Sequence, residues 1–109
     1  MKEKKLNMLG LAQRAGFLIS GDEFVSQAVK QGQIKLIVCG SDASVKTKER
    51  YQALAEQNRV KLNIEFTQSE ISQAIGKKRM VCGLTNSGMV KTFLSYETGE
   101  DDMYDKWMK

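Results

Sequence analysis

The spacing of apolar residues changes repeatedly along this chain, from the 3.6-residue period of a helix face to the two-residue or unbroken pattern of a strand. Glycine or a capping residue stands at most of the changes. Leu6, Leu9, Leu11 and Ala15 mark one face of a first helix closed by Gly16, and FLIS, Phe17 to Ser20, reads as a short strand. Ser20-Gly21-Asp22-Glu23 has the form of a capping box opening a second helix, whose buried stripe would be Phe24, Val25, Ala28 and Val29. Gly32 suits the left-handed end of that helix, and IKLIVCG, Ile34 to Gly40, follows as a strand buried on both faces.

SDAS, Ser41 to Ser44, turns the chain into a third helix carrying Tyr51, Leu54 and Ala55. KLNIEF alternates Leu62, Ile64 and Phe66 with polar residues, as a half-exposed strand does. A second capping box, Thr67 to Glu70, opens a helix with Ile71, Ala74 and Ile75 inward and Gly76 at its end. GKKR leads into the strand MVCGLT, and Asn86 or Ser87 caps a last helix bearing Met89, Val90, Phe93 and Leu94. Helices and strands in alternation bury their apolar sides as helices packed on the faces of one sheet. The expected fold is therefore an α/β, three-layer α/β/α sandwich in one domain over residues 1–97. Residues 98–109 are expected to form a disordered acidic tail, with Met103, Tyr104 and Trp107 as possible anchors.

Composition excludes several chemistries. The chain has no histidine, so Ser-His-Asp and Cys-His catalysis and most zinc sites are ruled out, and no metal or cofactor is expected. No phosphate-binding glycine motif of the mononucleotide or dinucleotide type occurs. Cys39 and Cys82 lie in apolar runs followed by glycine, the setting of small buried residues in a reducing compartment. The longest apolar run is far shorter than the roughly 18 residues of a membrane span, so a soluble, cytoplasmic monomer without a membrane partner is expected.

Charge points toward a polyanion. The last 14 residues hold five acidic and two basic side chains, leaving 15 basic against 8 acidic over residues 1–95. Two stretches are placed to use that charge. The front of the second helix presents free backbone N–H groups beside Gly21, Asp22 and Glu23, and the short loop GKKRM supplies Lys77, Lys78, Arg79 and Met80. A competing reading makes Cys39, at a strand end before Gly40-Ser41-Asp42, the thiolate of a cysteine-dependent phosphotransfer or phosphatase domain. A third treats the second helix as a protein-interaction surface.

The order of elements, with GDEFVSQAVKQGQIKLIVCGSDAS and SEISQAIGKKRMVCGL, resembles the archaeal L7Ae/L30e ribosomal-protein family, most closely its small bacterial YlxQ-type members, over residues 6–96. The resemblance implies a four-stranded mixed sheet and binding, with the ribosome as an expected partner, to kink-turn RNA, a sharply bent internal loop with tandem sheared G·A pairs. In that family the second helix enters the RNA groove with a glycine, Thr-Asn-Glu and a lysine, and the loop before the last strand packs on an extruded nucleotide. Matched without gaps from Gly21 to Gly32, Glu23 replaces the asparagine, Phe24 the glutamate and Gln27 the lysine. The RNA-binding set implied is Gly21, Asp22, Glu23 and Gln27 with Lys77, Lys78, Arg79 and Met80, bordered by Lys30, Ser44 and Lys48.

Overall fold

LIVC, the most apolar four-residue stretch of the central strand, is buried at every position, and the rest of the molecule is arranged about it. The structure, a computed structural model, describes residues 2–97, so the expectations for residues 98–109 lie outside the described residues. In chain order the elements are α1 (Lys2–Ala15), β1 (Leu18–Ser20), α2 (Asp22–Lys30), β2 (Leu36–Cys39), α3 (Val45–Asn58), β3 (Lys61–Asn63), α4 (Gln68–Ile75), β4 (Val81–Leu84) and α5 (Ser87–Glu97). The strands form one mixed sheet in the order β1-β4-β2-β3. β4 runs antiparallel to β1 and to β2, pairing Cys39 with Val81 and Leu36 with Leu84, while β3 lies parallel to β2.

Strand alternation decides which helix goes where. Leu36 and Val38 of β2, with Cys82 and Leu84 of β4, face a core shared with Leu9 and Ala12 of α1, Ile71 and Ile75 of α4 and Phe93 of α5. Ile37, Cys39 and Val81 face the other way, against Val25 and Val29 of α2 and Tyr51 and Leu54 of α3. Three helices thus cover one side of the sheet and two the other, as the alternating pattern requires. Phe66 and Phe93 meet edge to face at 6.4 Å in the larger layer.

Several local expectations are corrected. The capping box at Ser20 does not form: Ser20 is the last residue of β1, paired with Cys82, and the helix begins one residue later with Gly21 as its N-cap. That register puts Phe24, not Glu23, at the third helical position, and no side chain caps α2. Phe24 consequently leaves the buried stripe and is 67% exposed, and Leu11 is also exposed. β3 ends at Asn63, so Phe66 is buried from the following loop rather than by strand alternation. The Thr67 to Glu70 capping box is present, and Asn86 accepts from the Met89 N–H at 2.9 Å as the cap of α5.

Gly10 allows α1 to press onto α4, because a Cβ there would sit 2.9 Å from the Ala74 carbonyl oxygen. Alanine favours a helix by about 1 kcal/mol over glycine, but forcing two backbones apart in a packed layer costs about 1–3 kcal/mol. Gly10→Ala should therefore lower the unfolding free energy by roughly 1 kcal/mol in urea titration. Unchanged or raised stability would show that α1 and α4 can separate freely.

Candidate functional site

Because β1, β2 and β3 run in one direction and β4 in the other, the front ends of α2, α3 and α4 and the loop entering β4 gather at one end of the sheet. Backbone hydrogen bonds tie this end together. The Gly21 N–H donates to the Val81 carbonyl at 3.0 Å, the Gly40 N–H to Met80 at 2.8 Å and the Ser41 N–H to Phe66 at 2.7 Å. The Asp42 carboxylate accepts from the Gln68 N–H at 2.9 Å, joining the turn before α3 to the front of α4.

Gly21 has φ 100° and ψ 139°, a conformation that disfavours any residue with a Cβ. It lets the chain leave β1 and enter α2 in one step. Asp22 then anchors the helix: its carboxylate pairs with Arg50 at 2.6 Å and accepts from the Tyr51 hydroxyl, which also reaches the Asp22 carbonyl oxygen at 3.0 Å. The Arg50 guanidinium lies 5.0 Å from the centre of the Tyr51 ring. Hydrogen bonding to Arg50 holds the Asp22 carboxyl below its ordinary value, with partial burial opposing, and Asp22 in turn raises Arg50. Burial, then the bond to Asp22, pushes the Tyr51 hydroxyl up. Asp22 is thus engaged within the fold, while Glu23, Phe24 and Gln27 face outward.

The loop after α4 is held from within. Gly76 closes α4 with φ 77°, and the Ser72 hydroxyl accepts from the Arg79 N–H at 3.0 Å and donates to the Arg79 carbonyl at 3.2 Å. Lys77 and Lys78 project into solvent beside a cleft of about 460 Å³ lined also by Asp42, Gln68 and Ser72. Arg79 turns toward α2: a Cβ on Gly21 would lie 3.7 Å from its Nε and 3.7 Å from the Phe24 ring. Met80 packs its sulfur onto Gly40, in the space a side chain there would fill. The two stretches singled out in the sequence therefore meet over Gly21.

The bordering residues divide. Ser44 caps α3, accepting from the Thr47 N–H at 3.1 Å, and Lys48 donates to the Ser41 carbonyl at 3.1 Å, so both stand at this end of the sheet with internal roles. Lys30 lies at the opposite end of α2, roughly 12 Å away along its axis, in a recess shared with Arg59. Sequence reading missed Arg50, whose partner is 28 residues away, and the outward aim of Phe24. The match of Phe24 to the family's groove-entering glutamate was a signal for the second.

Cys39 is fully buried, and burial raises its thiol above the ordinary value despite the nearby Lys48. Cys82 is pushed up to about 12 by burial. A phosphate-attacking thiolate needs an accessible sulfur and a lowered pKa, and Cys39 has neither. Arg50, the nearest arginine after Cys39 for a phosphate cradle, is held by Asp22. Among the described residues no group of three or more metal-ligating side chains comes together, and no helix is long and apolar enough to cross a membrane.

Asp22→Asn keeps an acceptor for Tyr51 but removes the charge opposite Arg50. At pH 7 it should lower the unfolding free energy by about 1 kcal/mol, the scale of one largely exposed charge-assisted pair. The folded pKa of Asp22 lies below its ordinary 3.8, so its contribution is full above that value and is lost as pH falls through the folded one. The gap between wild type and variant, followed by urea denaturation, should close in that acidic window. A gap independent of pH would assign the effect to packing.

Known proteins share this fold and sequence pattern. The profile of the ribosomal protein L7Ae/L30e/S12e/Gadd45 family matches residues 3–89. The chain is 34% identical over 90 residues to the RNA-binding protein YlxQ of Enterococcus faecium, covering 83% of this chain and 87% of that protein. It is 27% identical over 89 residues to the RNA-binding protein YlxQ of Bacillus subtilis (strain 168), covering 81% and 89%. A solved structure of a protein of unknown function from Bacillus halodurans superposes with a TM-score of 0.81 at 32% identity, over 84% of this chain and 94% of that one. The 15.5kD RNA binding protein of Giardia lamblia shares the fold, with a TM-score of 0.73 at 13% identity over 87% and 82%. With a matching profile across most of its length and a YlxQ relative above 30% identity, this chain belongs to the ribosomal protein L7Ae/L30e/S12e/Gadd45 family.

Proposed function

We propose that this chain is a non-catalytic RNA-binding protein that recognises structured RNA of the kink-turn type, with ribosomal RNA as the natural source. The observation that carries the reading is the convergence of Arg79 and the front of α2 on Gly21. A backbone with no side chain at Gly21 lets a nucleic-acid strand approach, and helix N–H groups free of any side-chain cap offer donors and partial positive charge to it. Lys77 and Lys78 stand beside this notch as phosphate contacts, while Glu23 and Gln27, one turn apart on the same face, present groups for base edges. The RNA-binding names of the YlxQ relatives support the same partner.

Titration with a kink-turn RNA and with a duplex of equal length tests the reading. The kink-turn should bind more tightly, and equal affinity for both would overturn it. Changing Lys77, Lys78 and Arg79 together to Ala should weaken binding and reduce the magnitude of the salt slope by about 2, at roughly 0.7 per lost phosphate contact. Circular dichroism separates this from unfolding, and an unchanged slope would remove the loop from the interface.

Gln27→Lys probes the departure at α2 itself. Its side chain leaves the same exposed face as Glu23, where an added cation meets the RNA backbone. It should tighten kink-turn binding about fivefold, near 1 kcal/mol for one charge-assisted contact. Weaker binding would mean that the Gln27 amide itself is read by the RNA.

A further inference from the structure

Parallel pairing of β2 with β3 sets the starts of both strands side by side, and the ends of α2 and α3 that lead into them meet around a recess of about 370 Å³. Its rim carries Lys30 from the last turn of α2, Lys35 just before β2 and Arg59 just after α3, and Val29, Ile34 and Val60 line it between them. We propose that this recess is a second RNA contact, gripping backbone phosphates of a duplex segment other than the one bound at the front of α2; it rests on the RNA reading of this chain. The recess lies at the opposite end of the sheet from Gly21 and the Lys77 to Arg79 loop, about 12 Å away along the axis of α2.

The fold makes little use of these three cations. Lys2, Lys5 and Arg50 are matched to Glu70, Glu65 and Asp22, whereas no carboxylate lines the recess and no ion pair engages Lys30, Lys35 or Arg59 among the described residues. The Lys35 Nζ only approaches the Gly32 carbonyl, at 3.4 Å. Arg59 carries the argument further. Its φ of 55° is the one positive φ outside glycine among the described residues, at a position where glycine or asparagine ends a helix with less strain. The end of α3 is closed without the Arg59 side chain: the Asn58 amide donates to the Leu54 carbonyl at 2.9 Å, and the Arg59 backbone N–H donates to the Glu56 carbonyl at 3.4 Å. A guanidinium kept at a strained, exposed position serves a ligand better than it serves the fold.

The surroundings select the ligand. Both helices point their partially negative C-terminal ends here, which disfavours a small anion seated deep in the recess. Phosphates spaced along a nucleic-acid backbone can instead be held at the rim, by long side chains that each come from a different part of the chain. Glu56 lines the adjoining recess, but there Arg59 and Lys61 outnumber it. Two RNA segments can occupy the two ends of the molecule together, because their separation exceeds the screening length of about 10 Å at 0.1 M salt.

The test uses the full chain saturated with an unlabelled kink-turn RNA and titrated with a short, fluorescently labelled plain duplex, followed by anisotropy. Wild type should capture the duplex as a second RNA. The double variant Lys35→Ala with Arg59→Gly should weaken that capture about tenfold and lower the magnitude of its salt slope by about 2, at roughly 0.9 per lost duplex phosphate, while its affinity for the kink-turn stays unchanged. Glycine suits the left-handed position and Lys35 is exposed, so a thermal melt should show the variant folded and at least as stable as wild type. Capture that is equal in the two proteins, or a loss of kink-turn affinity as large as the loss of capture, would overturn the proposal. Displacement of the duplex by millimolar inorganic phosphate at constant ionic strength would make the recess a small-anion site, and tighter binding of polyglutamate at matched charge would make it an acidic-peptide site; either overturns the RNA contact. If wild type fails to distinguish kink-turn from duplex yet the double variant still loses duplex binding and salt slope, the kink-turn reading falls and this contact stands.

Discussion

The antiparallel pairing of β2 with β4 at the centre of the sheet is the constraint from which the remaining geometry follows. Both strands are buried at every position, so each successive residue must be satisfied by a different layer. Gly83 shows how tight this is: a Cβ there would meet Ile34 at 2.6 Å. Once Cys39 is set opposite Val81, the residues just beyond them, Gly40 and Met80, must also meet, and the loop before β4 is fixed over the end of β2. The basic loop is thus positioned by the core.

The second link is the clasp of Asp22 by Arg50 and Tyr51. It joins the first turn of α2 to α3 across the sandwich face, with a buried ring beneath and a guanidinium above. A carboxylate at the first turn of a helix is favourable for that helix's dipole, and here the same carboxylate is neutralised sideways by Arg50. The helix front is therefore held in place without a side chain folding over its free N–H groups. An anchored but uncapped helix end suits binding better than a capped one, because it loses little freedom when a ligand arrives.

On the candidate surface, polar character is divided by position. Lysines stand on the α4–β4 loop, where only charge and reach matter, whereas the outward face of α2 between Glu23 and Lys30 is uncharged and carries an aromatic ring. Gln27 and Phe24 stand where the resemblance leads to a lysine and a glutamate, so this stretch of the helix offers shape and neutral hydrogen bonding while the cations stand on the loop. Cys39 belongs to the core beneath this surface, its sulfur donating to the Gly40 carbonyl at 3.7 Å.

By itself the sequence determined the element order, the three layers, the central strand and the two buried cysteines, because periodicity, glycine stops and the Thr67 capping box are local signals that one chain segment carries alone. It also marked Gly21 and the Lys77 to Arg79 loop as the parts of interest, since a strand-to-helix glycine and a cation run are legible without contacts. Only the tertiary structure decided the register of α2. Ser20 fits a capping box in sequence, but pairing with Cys82 holds it in β1, and the one-residue shift turns Phe24 outward. Likewise Asp22 reads as one more surface carboxylate until α3 brings Arg50 and Tyr51 to it. These are long-range outcomes of strand pairing and helix packing, and no local pattern of residues encodes them.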